Sequence, residues 1–290
     1  MESKTLKNAG KAPAAGNRVP LKEKIKCMFW DVDGTLYQKH KGIKQEHKIL
    51  LYNAYAICRD PKADQNPFRV PQNMRFPTLA DVPEGLKREY EALLANKEKN
   101  PDGKYKANWQ IFSGEFGKDQ CYSAKVISTI DFTKFLGNDL ALFQMLQRLM
   151  DVHGIPQRVM TNEVYETIVN AFGAMGLSLE RMKDPRIDEM FPPKPELIVG
   201  SESAGDIGIL CAYNAHKKKP NPEVFRQMLQ VAGLENEPER MMYIGDAELK
   251  DIVPAKNLGI TTCLVWAAEG TQSSADYILR TVHDVGQLFE

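Results

Sequence analysis

Two kinds of apolar run alternate along the chain. Short unbroken runs end abruptly in polar or small residues: 25–30 before Asp31-Val32-Asp33-Gly34-Thr35, 158–160 before Thr161-Asn162, 241–244 before Gly245-Asp246, and 262–266. Unbroken rather than alternating apolar character is what a strand covered on both faces requires, so these runs predict parallel strands. Between them lie helical patterns at 140–150, at 164–175 closing near Gly176, at 222–231 closing at Gly233, and at 252–258 closing at Gly259. Strands alternating with helices predict an α/β fold built on a doubly wound, mostly parallel sheet. Ligands of such sheets gather outside the carboxyl ends of the strands, where Asp31, Asp33, Thr161 and Asp246 all fall.

The interval 42–130 breaks this rhythm. Helical patterns at 45–59, 84–97 and 118–130 are separated by loops at 59–79, with Pro61, Pro67, Pro71 and Pro77, and at 96–106. An inserted helical domain is expected there, flanked by core segments at 21–41 and 131–290, with a flexible tail at 1–20.

Charge narrows the classes of partner. Lys+Arg and Asp+Glu both number 38, so no overall field favours a nucleic-acid polymer or an anionic membrane, and any anion specificity is local. An apolar content of 43% with 26% charged residues is ordinary globular composition. Cys27, Cys58, Cys121, Cys211 and Cys263 form no CxxC pair or zinc spacing, and read as reduced buried thiols. No apolar run approaches the roughly 20 residues that span a bilayer, and the start of the chain lacks the apolar core of a secretory signal, so a cytoplasmic protein is expected. The Lys-rich segment 1–26 has one Arg and no clear amphipathic face, which favours a tail over a targeting peptide.

Each polar string has an ordinary reading when taken singly. Asp-x-Asp-Gly forms turns and calcium loops, Lys-Pro-x-Pro opens helices, and Gly-Asp ends strands. Together and in order they are more specific. Asp31-Val32-Asp33-Gly34-Thr35-Leu36-Tyr37, Thr161-Asn162, Lys219-Pro220-Asn221-Pro222-Glu223-Val224-Phe225 and Gly245-Asp246-Ala247-Glu248-Leu249-Lys250-Asp251 resemble the four motifs of the haloacid dehalogenase-like superfamily. That resemblance covers 24–37 and 139–279 and implies a Rossmann-like core with a helical cap inserted between the first and second motifs.

Phosphate esters are poor electrophiles surrounded by negative charge, so covalent hydrolysis needs a positioned nucleophile and strong neutralisation. Mg²⁺, which prefers oxygen ligands and bridges carboxylate to phosphate, meets that need. The resemblance implies Asp31 as nucleophile, with Asp31, Asp246 and the main-chain carbonyl of Asp33 holding Mg²⁺. It implies the Asp33 side chain as general acid and then base, and Asp251 as a residue that holds the metal shell or orients Lys219. Thr161, Asn162 and Lys219 would bind the phosphoryl group; Lys219 is chosen over Lys217 and Lys218, read as solvated, because the family lysine directly precedes Pro.

The carboxyl at Asp33 disfavours haloalkanoate dehalogenation, whose enzymes lack an acid there, and phosphonate cleavage. What remains is a Mg²⁺-dependent phosphatase acting on a small phosphate ester such as a nucleoside monophosphate or sugar phosphate, with a phosphomutase or a non-catalytic scaffold as alternatives. The layout at 130–136 with the first motif is similar to the pyrimidine 5′-nucleotidase branch. A monomer or homodimer is expected. Glu115, Phe116, Lys118 and Tyr122 are candidates for a substrate-facing surface of the insertion, Trp30 and Tyr37 read as core packing and loop anchor, and His216 as an exposed loop residue.

Overall fold

The computed structural model describes residues 19–95, 100–119, 121–176, 209–211 and 218–290. The tail at 1–18, His216 and Lys217 lie outside the described residues. In chain order the elements are α1 (Leu21–Lys24), β1 (Cys27–Trp30), α2 (Lys41–Cys58), α3 (Glu84–Leu93), α4 (Asn108–Phe116), α5 (Tyr122–Ser128), α6 (Leu140–Asp151), β2 (Gln157–Thr161), α7 (Tyr165–Ala174), β3 (Ile209–Cys211), α8 (Pro222–Ala232), β4 (Met241–Gly245), α9 (Val253–Lys256), β5 (Thr261–Leu264) and β6 (Tyr277–Ile278). A π-helical turn, Glu248–Ile252, leads into α9.

The strands form one sheet in the order β3-β2-β1-β4-β5-β6, with every pairing parallel. Every residue of β1, β2, β4 and β5 is buried, as a sheet covered on both faces requires. Successive side chains point to opposite faces. Met28, Trp30, Met242 and Ile244 join one apolar cluster with α6, α7 and the helices of 41–128. Cys27, Phe29, Met241 and Tyr243 join another with Val224, Phe225, Met228 and Leu229 of α8. The result is three layers.

From β1 the chain proceeds to β2 on one side and later to β4 on the other, which makes the carboxyl end of β1 the switch point where a crevice opens. Pairing Trp30 with Ile244 and with Val159 sets Asp31 level with the ends of both neighbours. The Asp31 N–H donates to the Ile244 carbonyl at 2.9 Å, which fixes that register.

The helical insertion differs in detail from the sequence pattern. The helix expected over 84–97 stops at Leu93, because Leu94 turns extended and bridges to Tyr105. The one expected over 118–130 starts at Tyr122, after Gly117 takes a left-handed φ of 63° that closes α4. α4 itself was hidden, since Asn108–Phe116 is rich in aromatic residues and has no side-chain cap. β3 and β6 are too short for a periodicity signal, and the last core strand ends at Leu264, before Trp266 with its φ of 58°. Cys27, Cys58 and Cys263 are buried, and no disulfide joins described residues. No described helix is long and apolar enough to cross a membrane.

One polar side chain ties the insertion together. Asn53, fully buried on α2, donates to the carbonyls of Ile49 and Phe76 and accepts from the N–H groups of Arg75 and Phe76, at 2.7–2.9 Å. Replacement by leucine would leave the Arg75 and Phe76 N–H groups and the Phe76 carbonyl without this partner. Asn53→Leu is expected to lower the unfolding free energy by about 3 kcal/mol in chemical denaturation; a loss below about 1 kcal/mol would mean that water replaces the amide there.

Candidate active site

Asp31 leaves the sheet at the end of β1 and is 7% exposed. Lys219, carried in from the loop before α8 and 5% exposed, places its ammonium 2.8 Å from Asp31 Oδ1 and 2.7 Å from Asp251 Oδ1. The Tyr243 hydroxyl, from inside β4, lies 2.7 Å from the same ammonium and donates to Asp251 Oδ1 at 3.1 Å. Phe225 packs edge-on against the Tyr243 ring, with centroids 5.2 Å apart. Asp251 Oδ2 accepts from the Ala247 N–H at 3.1 Å, so both of its oxygens are engaged.

Asn162 holds the loop that carries Lys219. Its amide donates to the Lys219 carbonyl at 3.1 Å, and its carbonyl accepts from the Lys219 N–H at 2.9 Å. The side chain thus fixes the lysine backbone from the lining of the crevice. The Thr161 hydroxyl, 1% exposed, accepts from the Glu163 N–H at 3.1 Å and keeps its own proton to donate.

Asp246, after β4, pairs through Oδ2 with Lys39 at 2.8 Å, whereas its buried Oδ1 has no hydrogen-bond partner among the described residues. Oxygens of Asp31, Asp246 and Asp251 lie within 4.8 Å of one another. Six carboxyl side chains and three lysines line the crevice of about 400 Å³ that they share, which leaves it negative. Hard oxygen donors, one of them buried without a partner, fit a small divalent cation such as Mg²⁺. Asp251 fits that role least, because Lys219, Tyr243 and Ala247 already occupy its carboxylate.

Electrostatics follow from burial. Desolvation pushes Asp31 up to about 7, although Lys219 opposes it. Burial lowers Lys219, but the Asp31 and Asp251 charges outweigh it and the net direction is up. Asp246 is raised by burial against the pull of Lys39. Tyr37 is buried and raised, first by desolvation and then by the Asp33 charge.

Close approach sets two glycines. A Cβ on Gly34, whose φ is +90°, would lie 2.6 Å from Lys39 Nζ and 2.7 Å from Asp246 Oδ2. The Trp266 indole N–H donates to the Thr35 carbonyl at 2.8 Å and braces the same turn, while the Thr35 hydroxyl lies 3.4 Å from Asp31 Oδ2.

All the residues singled out from the four motifs, Asp31, Asp33, Thr161, Asn162, Lys219, Asp246 and Asp251, line this one crevice. Lys39 and Glu163 also line it and were not expected; neither lies at a motif spacing. Tyr243 was concealed inside an apolar strand. Lys218 is half-buried and not fully solvated. Of the four candidates for a substrate surface on the insertion, Tyr122 is buried against Cys58, Phe116 packs on Tyr55 and Phe112, exposed Glu115 pairs with Lys104, and Lys118 donates to Gln65; none of them lines the crevice.

A Cβ on Gly245 would lie 2.4 Å from Asp251 Cβ and 2.6 Å from its Cγ. Gly245→Ala is thus expected to displace Asp251 and to destabilise the fold by about 1–3 kcal/mol in chemical denaturation; wild-type stability would show that Asp251 yields without cost.

Residues 217–285 match the HAD-hydrolase-like family. A stretch of 55 residues is 36% identical to the Rhythmically expressed gene 2 protein of Drosophila melanogaster, covering 19% of this chain and 21% of that protein's length. Among solved structures, a HAD phosphatase from Thermococcus onnurineus aligns over 91% of this chain and 97% of that one, at 17% identity and a TM-score of 0.45. CbbY from Rhodobacter sphaeroides in complex with phosphate aligns over 90% and 96%, at 15% identity and a TM-score of 0.48. These likenesses are loose, and the geometry above stands apart from them. The family match thus falls on the part of the chain that supplies Lys219, Asp246 and Asp251.

Proposed function

We propose that the whole chain is a haloacid dehalogenase-like phosphatase that hydrolyses a small phosphate monoester, of the nucleoside monophosphate or sugar phosphate class, through an aspartyl phosphate on Asp31. The observation that carries this reading is the buried Asp31 carboxylate at the switch point of the sheet, 2.8 Å from a lysine that nothing but catalysis or fold specificity requires there. The helices of 42–130 serve as the cap over the crevice.

Asp31, Asp246 and the main-chain carbonyl of Asp33 would hold Mg²⁺. When bound, the ion supplies the positive charge that a crevice with six carboxyls needs before a phosphate dianion can enter. The remaining work belongs to the chain. Lys219 favours the ionised form of Asp31 and offsets charge on the phosphoryl oxygens, and the Thr161 hydroxyl donates to one of them.

An oxygen of Asp31 attacks phosphorus, the ester P–O bond breaks, and the leaving oxygen takes its proton from Asp33. Asp33 then removes a proton from water. The resulting hydroxide attacks the same phosphorus, which releases inorganic phosphate and regenerates the Asp31 carboxylate. Asp251, Tyr243 and Asn162 position Lys219.

Phosphate release by the purified chain with Mg²⁺, across nucleoside monophosphates, sugar phosphates and a generic aryl phosphate, tests this reading. Asp31→Asn is expected to abolish release while the circular dichroism spectrum is kept. Asp33→Asn is expected to slow turnover by about 10²–10⁴-fold, most for poor leaving groups; uniform slowing would remove the acid role from Asp33. Chelation is expected to silence the enzyme reversibly, and Mg²⁺ to raise the unfolding temperature of wild type more than that of Asp246→Asn. Equal shifts in both proteins would contradict the metal assignment.

A further inference from the structure

Trp266 follows β5 and is not among the residues that line the crevice. Its φ is 58°, a left-handed backbone that a bulky side chain rarely adopts. The residues on either side are held: the Val265 N–H donates to the Gly245 carbonyl at 3.0 Å, and the Ala267 N–H to the Leu279 carbonyl at 3.1 Å. Glycine would take this conformation without strain. A tryptophan in its place points to a task for the side chain.

The indole reaches the first motif. Its N–H donates to the Thr35 carbonyl at 2.8 Å. The ring meets the His283 imidazole edge-on, with centroids 6.3 Å apart and 85° between the planes. His283 in turn lies 2.9 Å from the Asp139 carboxylate, which caps α6 by accepting from the Leu142 N–H at 3.1 Å. The indole therefore leans on a neighbour that is itself fixed to a helix start.

What it holds is the turn that carries Asp33. The Thr35 and Leu36 N–H groups both donate to the Val32 carbonyl at 3.0 Å. Between Asp33 and Thr35 stands Gly34, the residue type with the widest choice of backbone angles. An anchor on the far side of that glycine restricts where the Asp33 main chain can lie. Thr35 is fully buried, and its hydroxyl is 3.4 Å from Asp31 Oδ2. One hydrogen bond thus bears on the segment of both carboxyl groups that the proposed reaction uses.

We propose that Trp266 is a positioning residue: its indole N–H, by holding the Thr35 carbonyl, fixes the turn that presents Asp33 to the leaving oxygen. The inference rests on the phosphatase reading and extends it to a residue outside the crevice. Trp266 touches no reacting atom, so its effect falls on how well the acid is placed and not on how tightly the ester is held.

The test replaces Trp266 with its benzothienyl isostere, which keeps the bicyclic ring and loses the N–H, beside Trp266→Phe as a natural variant with the same loss. For the isostere, kcat with a hexose 6-phosphate is expected to fall about tenfold, and less with an aryl phosphate whose leaving group needs less protonation, while KM stays within about twofold. Amide hydrogen exchange reads the turn without turnover. The Thr35 and Leu36 amides are expected to exchange about tenfold faster in both variants, whereas the Asp31 amide, bonded to the Ile244 carbonyl, keeps its wild-type rate.

A purely structural role would speed exchange at Asp31 as well and leave kcat of the folded protein unchanged, and that result would overturn the inference. So would wild-type exchange at Thr35 and Leu36 in the isostere. Absence of phosphate release from the wild-type protein would instead be a failure of the phosphatase reading, and faster exchange confined to the turn would then still uphold the brace.

Discussion

The structure turns on one buried cation. Lys219 carries its ammonium to within 2.8 Å of Asp31 and 2.7 Å of Asp251, in a place almost closed to solvent. Removing a lysine and two carboxylates from water costs several kcal/mol per ion, which mutual attraction recovers only with good geometry and further hydrogen bonds. Those bonds are present: Tyr243 joins the ammonium and Asp251, the Ala247 N–H takes the other Asp251 oxygen, and Asn162 clasps the lysine backbone on both sides. A hydrophobic core of equal volume would serve stability as well. The arrangement is explained by what it does to Asp31.

In the proposed reaction that carboxylate has to be poor at holding a proton yet dry enough to act as a nucleophile. Burial is the largest influence on Asp31, Lys219 works against it, and the carboxyl ends raised to about 7. The sheet enforces this opposition, because the parallel register places Asp31 level with Gly245 and next to Met160. Gly245 and Gly34 leave room for Asp251 and Lys39 to come close. Packing around the charges is therefore as specific as the charges themselves.

Much of this was legible in the sequence, for a physical reason. Strands buried on both faces read as unbroken apolar runs, and a carboxylate at the end of such a run has one place to go, the carboxyl edge of the sheet. Asp31, Thr161 and Asp246 were located by that logic alone, and the Lys-Pro-x-Pro string added Lys219. Pairings across the fold stayed hidden. Tyr243 looked like one more apolar strand residue, since nothing in Met241–Gly245 reveals that its hydroxyl reaches Lys219. Lys39 and Glu163 lie in loops where side-chain direction follows from tertiary packing and not from periodicity. The insertion was least readable, because the helices after α2 are short and its parts pack through aromatic clusters such as Tyr52, Tyr55 and Tyr90.

The same tertiary packing bears on selectivity. In the proposed reaction, chemistry at phosphorus would depend on residues held by the sheet and by the Lys219 cluster, and these would see every phosphate monoester alike. Discrimination would then have to come from groups that touch only the departing alcohol.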